Sequence, residues 1–341
     1  MSTIIEVAKR ANVSTATVSN VIRGTRKVSA DKTTRVNAAI RELNYFPNEI
    51  ARSLKVKQTR MLAMVLPDIT NPFFPEIIRG AEDAAFARGY FLLTANTNEK
   101  VEREQRIIGA LRSYRVDGIL LAPAQSKDTS HIANMIHAGI SVVCLDRTVP
   151  NVLTDAVLLD NVGGARECVR HLIDLGHRRI AIVTGALHLQ TGHERLEGYR
   201  LAFKDAGLTY DKRLIAEGDF RFESGRRMGH KLMAQRVKPT AIFVCNGVMA
   251  QGVLQAFEEL GVSCPKDVAL ATFDDVSTDS AFHPHLTAVV QPSYEMGGRA
   301  ATILMDRIEG RLGAEWSVLR IAPKIILRGS TVPPKKLRLR S

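Results

Sequence analysis

At 341 residues, 45% apolar and 24% charged, the chain has the composition of an ordinary globular protein, long enough for two or three domains with proper cores. No apolar run approaches the ~18 residues of a membrane span. The opening MSTIIEVAKRANVS carries acidic and basic residues instead of a leader's apolar stretch, and Cys144, Cys168, Cys245 and Cys264 stand too far apart for a zinc or redox pair, so reduced thiols in a cytoplasmic protein are expected. The net charge of +12 is uneven. Residues 1–60 hold twelve Lys/Arg against four Asp/Glu, and the stretch from Arg328 holds five basic residues and no acidic one. A nearly neutral body with a basic head is the pattern of a small module that meets a polyanion.

In chain order, Thr3 and Glu6 form a T-x-x-E capping box opening a helix with the stripe Ile4, Val7, Ala8 and Ala11. A short turn leads to Ser14, a good N-cap, and to a second helix whose Val18, Val21 and Ile22 make one apolar stripe. Gly24 ends it. Ser29 is expected to cap a third helix carrying Val36, Ala39, Ile40 and Leu43, which closes before Pro47. Two helices joined by a tight turn and backed by a third form a helix-turn-helix. The second helix of such a unit enters the major groove N-terminus first, which suits the short side chains at its start. Thr15, Ala16 and Asn20 would face bases, while Ser14 and Thr17 would hold phosphates.

Residues 48–59 follow as a hinge and linker. Asn48 can cap EIARSLKV, about two turns that are marginal alone in water because helix nucleation is unfavourable. From Arg60, short apolar strands (MLAMVLP, YFLLTAN, DGILLAP, SVVCLD, then RIAIVTG, AIFVCN, VALATFD) alternate with helical stretches, which argues for parallel sheets flanked by helices. The two series parallel one another: RMLAMVLP matches RRIAIVTG, and ISVVCLDR matches DVALATFDD. Ligands bind beyond the C-terminal ends of parallel strands. The residues there are polar or aromatic: Asn71, Phe73 and Phe74, then Asp146 and Arg147, then Asn246 and Asp274. No G-x-G-x-x-G, P-loop or G-x-S-x-G accompanies these strands, which argues against an enzyme. His283 and His285 are too sparse for a metal site and read as a surface loop. No cofactor is expected.

The stretches TIIEVAKRANVSTATVSNVIRG, NYFPNEIARSLKVKQTR and DITNPFF resemble the lac repressor/galactose repressor family of bacterial regulators along essentially the whole chain, with head and hinge most like its purine-repressor branch. The resemblance implies a lambda-repressor-like helix-turn-helix head (1–47) and a body (60–330) with the fold of periplasmic sugar-binding proteins. Its two doubly wound subdomains would comprise 60–160 with 291–320 and 161–290 with 321–330, the chain crossing near Asp160, Gln291 and Ile321. A basic tail (331–341) lacking leucine heptads points to a homodimer. In the family, paired hinge helices enter the minor groove and a leucine opens a base step, a role that falls to Leu54 with Lys55 beside it. The resemblance also places Arg195, Phe220 and Gln291, together with the strand-end residues, in an effector pocket for a sugar, sugar acid or nucleobase. An allosteric, sequence-specific regulator of a palindromic double-stranded operator, most simply a repressor, is the expectation.

Two departures stand out. Asn246 is followed by Gly247 where the family usually has Asp. Asn20 replaces a common arginine, and its amide suits adenine better than guanine, so Asn20→Arg should change base preference at that operator position.

Overall fold

The structure, a computed structural model, describes residues 2–24, 26–46, 58–124, 128–275 and 285–334. It separates into two compact units, 1–59 and 60–341. The proposed groove residues Leu54 and Lys55, most of the hinge, and His283 lie outside the described residues.

In the first unit, helix α1 (Ile4–Ala11) begins with the expected reciprocal cap. Thr3 Oγ1 accepts from the Glu6 amide, and Glu6 accepts from the Thr3 amide at 2.7 Å. Asn12 reverses the chain in the left-handed region. Helix α2 (Thr15–Arg23) starts under Ser14, whose Oγ accepts from the Thr17 amide at 3.2 Å, and ends at Gly24 with φ 63°. Helix α3 (Ala30–Glu42) closes the set. Val7, Ala8, Ala11, Val18, Val36 and Ala39 form the small core, with Ile4, Val21, Ile40 and Leu43 around it. Two expectations need correction. Ser29 stands at the N-cap of α3, yet its side chain makes no capping bond. Ile22 is 36% exposed, because the stripe of so short a helix meets the core mainly through Val18 and Val21.

The second unit has two lobes, each built on a six-stranded sheet among the described residues. The first sheet contains β1 (Met61–Leu66), β2 (Phe91–Asn96), β3 (Gly118–Leu121), β4 (Ser141–Leu145), β5 (Asp155–Leu159) and β11 (Val318–Ile321), in the spatial order β11-β5-β4-β3-β1-β2. The second contains β6 (Ile180–Thr184), β7 (Ile215–Glu217), β8 (Ala241–Val244), β9 (Ala269–Phe273), β10 (Thr287–Val290) and β12 (Lys324–Ile326), in the order β12-β10-β9-β8-β6-β7. All pairings are parallel except β10 with β12. Central strands such as β1, β3, β8 and β9 are buried along nearly their whole length, as expected where helices cover both faces. The chain passes from one sheet to the other after β5, after β10 and after β11.

Helices α4 (Phe73–Ala87), α5 (Val101–Ser113) and α6 (Ser130–His137) flank the first sheet. Helices α7 (Asn161–Asp174), α8 (Gln190–Asp205), α9 (Phe222–Met233) and α10 (Gly247–Glu259) flank the second, and α11 (Ser293–Ile308) returns to pack on α4. That contact is backbone to backbone. A Cβ on Gly80 would stand 2.0 Å from the Tyr294 carbonyl oxygen, and one on Gly297 would stand 2.0 Å from that of Ile77. After β12 the chain straps across the second lobe, where His171 bonds Thr331 and His177 bonds the Val332 carbonyl. The packed body thus runs past residue 330, so the first residues assigned to the tail belong to it.

Candidate functional site

Strands β1, β4, β7, β8, β9 and β10 end towards a cleft between the lobes, lined by residues that follow them. All ten residues expected in the pocket line it: Asn71, Phe73, Phe74, Asp146, Arg147, Arg195, Phe220, Asn246, Asp274 and Gln291.

The first lobe supplies an aromatic wall and a neutralised cation. Asn71 Oδ1 accepts from the Phe73 amide at 3.1 Å, turning the chain into α4. Phe73 and Phe74 meet edge to face at 5.0 Å, both buried. The Asn-Pro turn and the core role of Phe74 therefore coexist with a place on the wall. Asp146 follows β4 with φ 64°. Arg147 is buried, and its Nη1 and Nη2 donate to Glu99 at 3.0 and 2.9 Å while Nε donates to Asp146 at 3.3 Å. Burial opposes its charge, but the two carboxylates outweigh that and raise its pKa.

The second lobe supplies a cation held by neutral groups. Arg195, 3% exposed, donates from Nε to Asn161 Oδ1 at 2.8 Å and from Nη1 to the Cys245 carbonyl. Its guanidinium lies 3.8 Å from the Phe273 ring centroid and 5.9 Å from that of Phe220. Phe220 sits at φ 67°, with its ring over Gly185, where a Cβ would stand 1.9 Å from the ring. Asn246 caps α10: Oδ1 accepts from the Met249 amide and Nδ2 donates to the Phe220 carbonyl, both at 2.9 Å. It thus anchors both the helix and Phe220. Asp274 follows β9 at φ 67° and accepts from Gln291 Nε2 and from the Gly247 amide. Burial raises its pKa; Arg195 and these donors oppose the shift only in part. Gln291 is 8% exposed, and its Oε1 is buried without a hydrogen-bond partner.

Pro67, Asp68, Glu99, Thr191, Asp219 and Arg221 complete the lining. Thr191 stands one helical turn before Arg195, so the i,i+4 spacing could have found it. Asp219 and Arg221 flank Phe220. Glu99 enters only through a pairing 48 residues long, which leaves no local signal.

In the head, Ser14, Thr15 and Ala16 are exposed at the start of α2, while Thr17 and Asn20 are half-buried. The Ser14 and Thr17 hydroxyls lie 3.0 Å apart and share a hydrogen bond. The residues of this first turn, Thr15 to Val18, carry only short side chains themselves.

Residues 3–48 match the model of bacterial regulatory proteins of the lacI family, and residues 169–331 match that of a periplasmic binding protein-like domain. The chain is 37% identical over 330 residues to the ribose operon repressor of Escherichia coli strain K12, covering 97% of this chain and 100% of that protein. It is 36% identical to the repressor PurR of Pasteurella multocida, covering 97% and 98%. Among solved structures, the lac repressor dimer bound to operator and an anti-inducer aligns with a TM-score of 0.86 at 25% identity, covering 97% of this chain and 99% of that one.

Proposed function

Because the chain belongs to the lacI family of bacterial regulatory proteins, and is a sequence-specific DNA-binding transcriptional regulator and not an enzyme, we propose that its cleft takes a neutral sugar as effector and that two copies bind a palindromic operator together. The observation that carries the sugar reading is Gln291 Oε1, a buried acceptor without a donor, next to the Asp274 carboxylate. Such groups ask for a ligand that donates, and adjacent hydroxyls donate to both. A buried polar atom left unmet costs roughly 1–3 kcal/mol, so a hydroxyl placed there gains selectively over a methylene. The charge balance favours a neutral ligand over a sugar acid. Five carboxylates line the cleft (Asp68, Glu99, Asp146, Asp219, Asp274) against three arginines, and Arg147 is already spent on Glu99 and Asp146. Phe73 and Phe220 offer faces to the apolar side of a sugar ring.

The edge strand β2 leaves Phe91 and Leu93 exposed, and α4 leaves Phe86 74% exposed beside it, which supports pairing of two bodies through this edge. The hinge would leave each body at a fixed point. The Arg60 amide donates to Asp117 at 2.8 Å, and its guanidinium lies 4.7 Å from the Tyr90 ring centroid. Sugar binding would then bias the spacing of the two Arg60 residues, and with it the ordering of the hinge on DNA.

The test is thermal unfolding against D-ribose, other neutral sugars, sugar acids and nucleobases, followed by operator titration with any hit. Saturation near 100 Kd adds about 2.7 kcal/mol to the folded state, so a neutral sugar should raise Tm by several degrees. A rise with sugar acids or nucleobases alone would overturn the sugar reading.

A further inference from the structure

A line of hydrogen bonds joins the two lobes outside the cleft lining, and it ends on Arg195. It starts in the first lobe at Thr148, directly after the cleft residues Asp146 and Arg147. The Thr148 amide and hydroxyl meet Gln190 Oε1 at 2.9 and 3.1 Å. Gln190 is the first residue of α8 in the second lobe. Its Nε2 donates to Glu194 Oε1 at 2.8 Å, and Glu194 Oε2 accepts from Asn161 Nδ2 at 2.9 Å. Asn161 Oδ1 then accepts from Arg195 Nε at 2.8 Å. A second strand reaches the same carboxylate from the first sheet, since Arg320 on β11 lies 3.7 Å from Glu194 Oε1.

The chemistry of this line gives it direction. Each amide uses one end as donor and the other as acceptor, so the orientation of each fixes the next. Glu194 is 16% exposed, and its two oxygens are divided between a group tied to the first lobe and a group tied to Arg195. When Thr148 draws away from Gln190, Gln190 loses the partner that orients it. The restraint that this line places on Glu194, Asn161 and the Nε of Arg195 is then weakened. None of Gln190, Glu194 or Asn161 lines the cleft, so their effect on a ligand runs through Arg195.

We propose that Gln190 and Glu194 are positioning residues that make the setting of Arg195 depend on the apposition of the lobes, and so couple effector binding to lobe movement. This rests on the reading that the cleft takes the effector. The experiment uses the full chain, the variants Gln190→Met and Glu194→Gln, and D-ribose as probe. The first readout needs no ligand: amide hydrogen exchange at Thr148, whose N–H is held by Gln190. In Gln190→Met, exchange there should rise roughly tenfold as the local opening becomes easier, with Tm within a few degrees of the parent. The second readout is operator affinity with and without D-ribose. Both variants should bind operator within about twofold of the parent without sugar, and the sugar-dependent change should collapse towards none. Thr148 protection unchanged in Gln190→Met, or a sugar response equal to the parent's in both variants, overturns the proposal. If the parent itself ignores D-ribose but answers another neutral sugar, that sugar replaces it as the probe. If it answers none, the sugar reading falls, and the exchange at Thr148 still judges the coupling line.

Discussion

Asp146 and Asp274 occupy the same place in the two sheets. Each follows the third strand in the spatial order, β4 or β9, by one residue, and each has a positive φ, 64° and 67°. Their neighbours separate them. In the first lobe the next residue is Arg147, which turns back on Asp146 and is itself clamped by Glu99. In the second lobe the next residue is Asp275, which pairs away from the cleft with Arg328 at 2.6 Å. Asp274 is left with an amide side chain and a backbone N–H, and burial raises its pKa. The same backbone position thus serves a closed ion cluster in one lobe and a carboxylate held by neutral donors in the other. A repeated fold fixes where a side chain stands; its neighbours decide whether it is already satisfied.

The contrast breaks most visibly at Arg147. Arg147→Met leaves Asp146 buried and without its cation, and removing one partner of a buried pair costs on the order of 3 kcal/mol. Tm should fall by several degrees in a thermal melt. A change under one degree would mean that the first lobe's cluster is no more committed than the second's. Asp274→Asn is expected to do the reverse. Asparagine tolerates a positive φ, and it removes a charge whose burial is unfavourable. A raised carboxyl pKa means that the folded state binds the proton more readily, so the ionised form costs stability above that pKa. Tm at pH 7 should therefore hold or rise, and this advantage should vanish below about pH 4, where the unfolded carboxyl is protonated too. Sugar affinity should fall 10- to 100-fold, the worth of a hydrogen bond to a charged group, as read by calorimetry.

The smallest effect separates the lobes by acid sensitivity. Burial lowers the pKa of His171 and His177, which hold the strap on the second lobe. Both stay neutral when folded and take up a proton when unfolded, so stability rises with pH across their window. Tm should slip as pH falls through about 6.5, the unfolded histidine value, and His177→Gln should flatten that slope. An equal slope in the variant would place the acid-sensitive group elsewhere.

Much of this is legible in the sequence because the decisive residues sit beside strong local signals. The strand-end residues announce themselves by ending apolar runs, and the head by its capping box and serine cap. What stayed hidden depends on distant partners. Glu99 matters only because Arg147 folds onto it, and Gly185 only because Phe220 lies over it. Gln190 and Glu194 read as ordinary polar residues of a helix until Thr148 and Asn161 are placed beside them. Strands β7, β11 and β12 are three or four residues long and mostly exposed or half-buried, so no apolar run marks them as it marks the equally short β3 and β8. Gly247 has no side chain, and its backbone amide donates to Asp274.

The three passages between the sheets set the grain along which this protein can be recombined. Neither lobe is a continuous stretch of sequence, so a graft that exchanges one lobe must cut the chain at several points and rejoin each one. The boundary between residues 59 and 60 is crossed once. A hybrid regulator that pairs this sensor with another operator specificity should be joined there, with both lobes carried over intact.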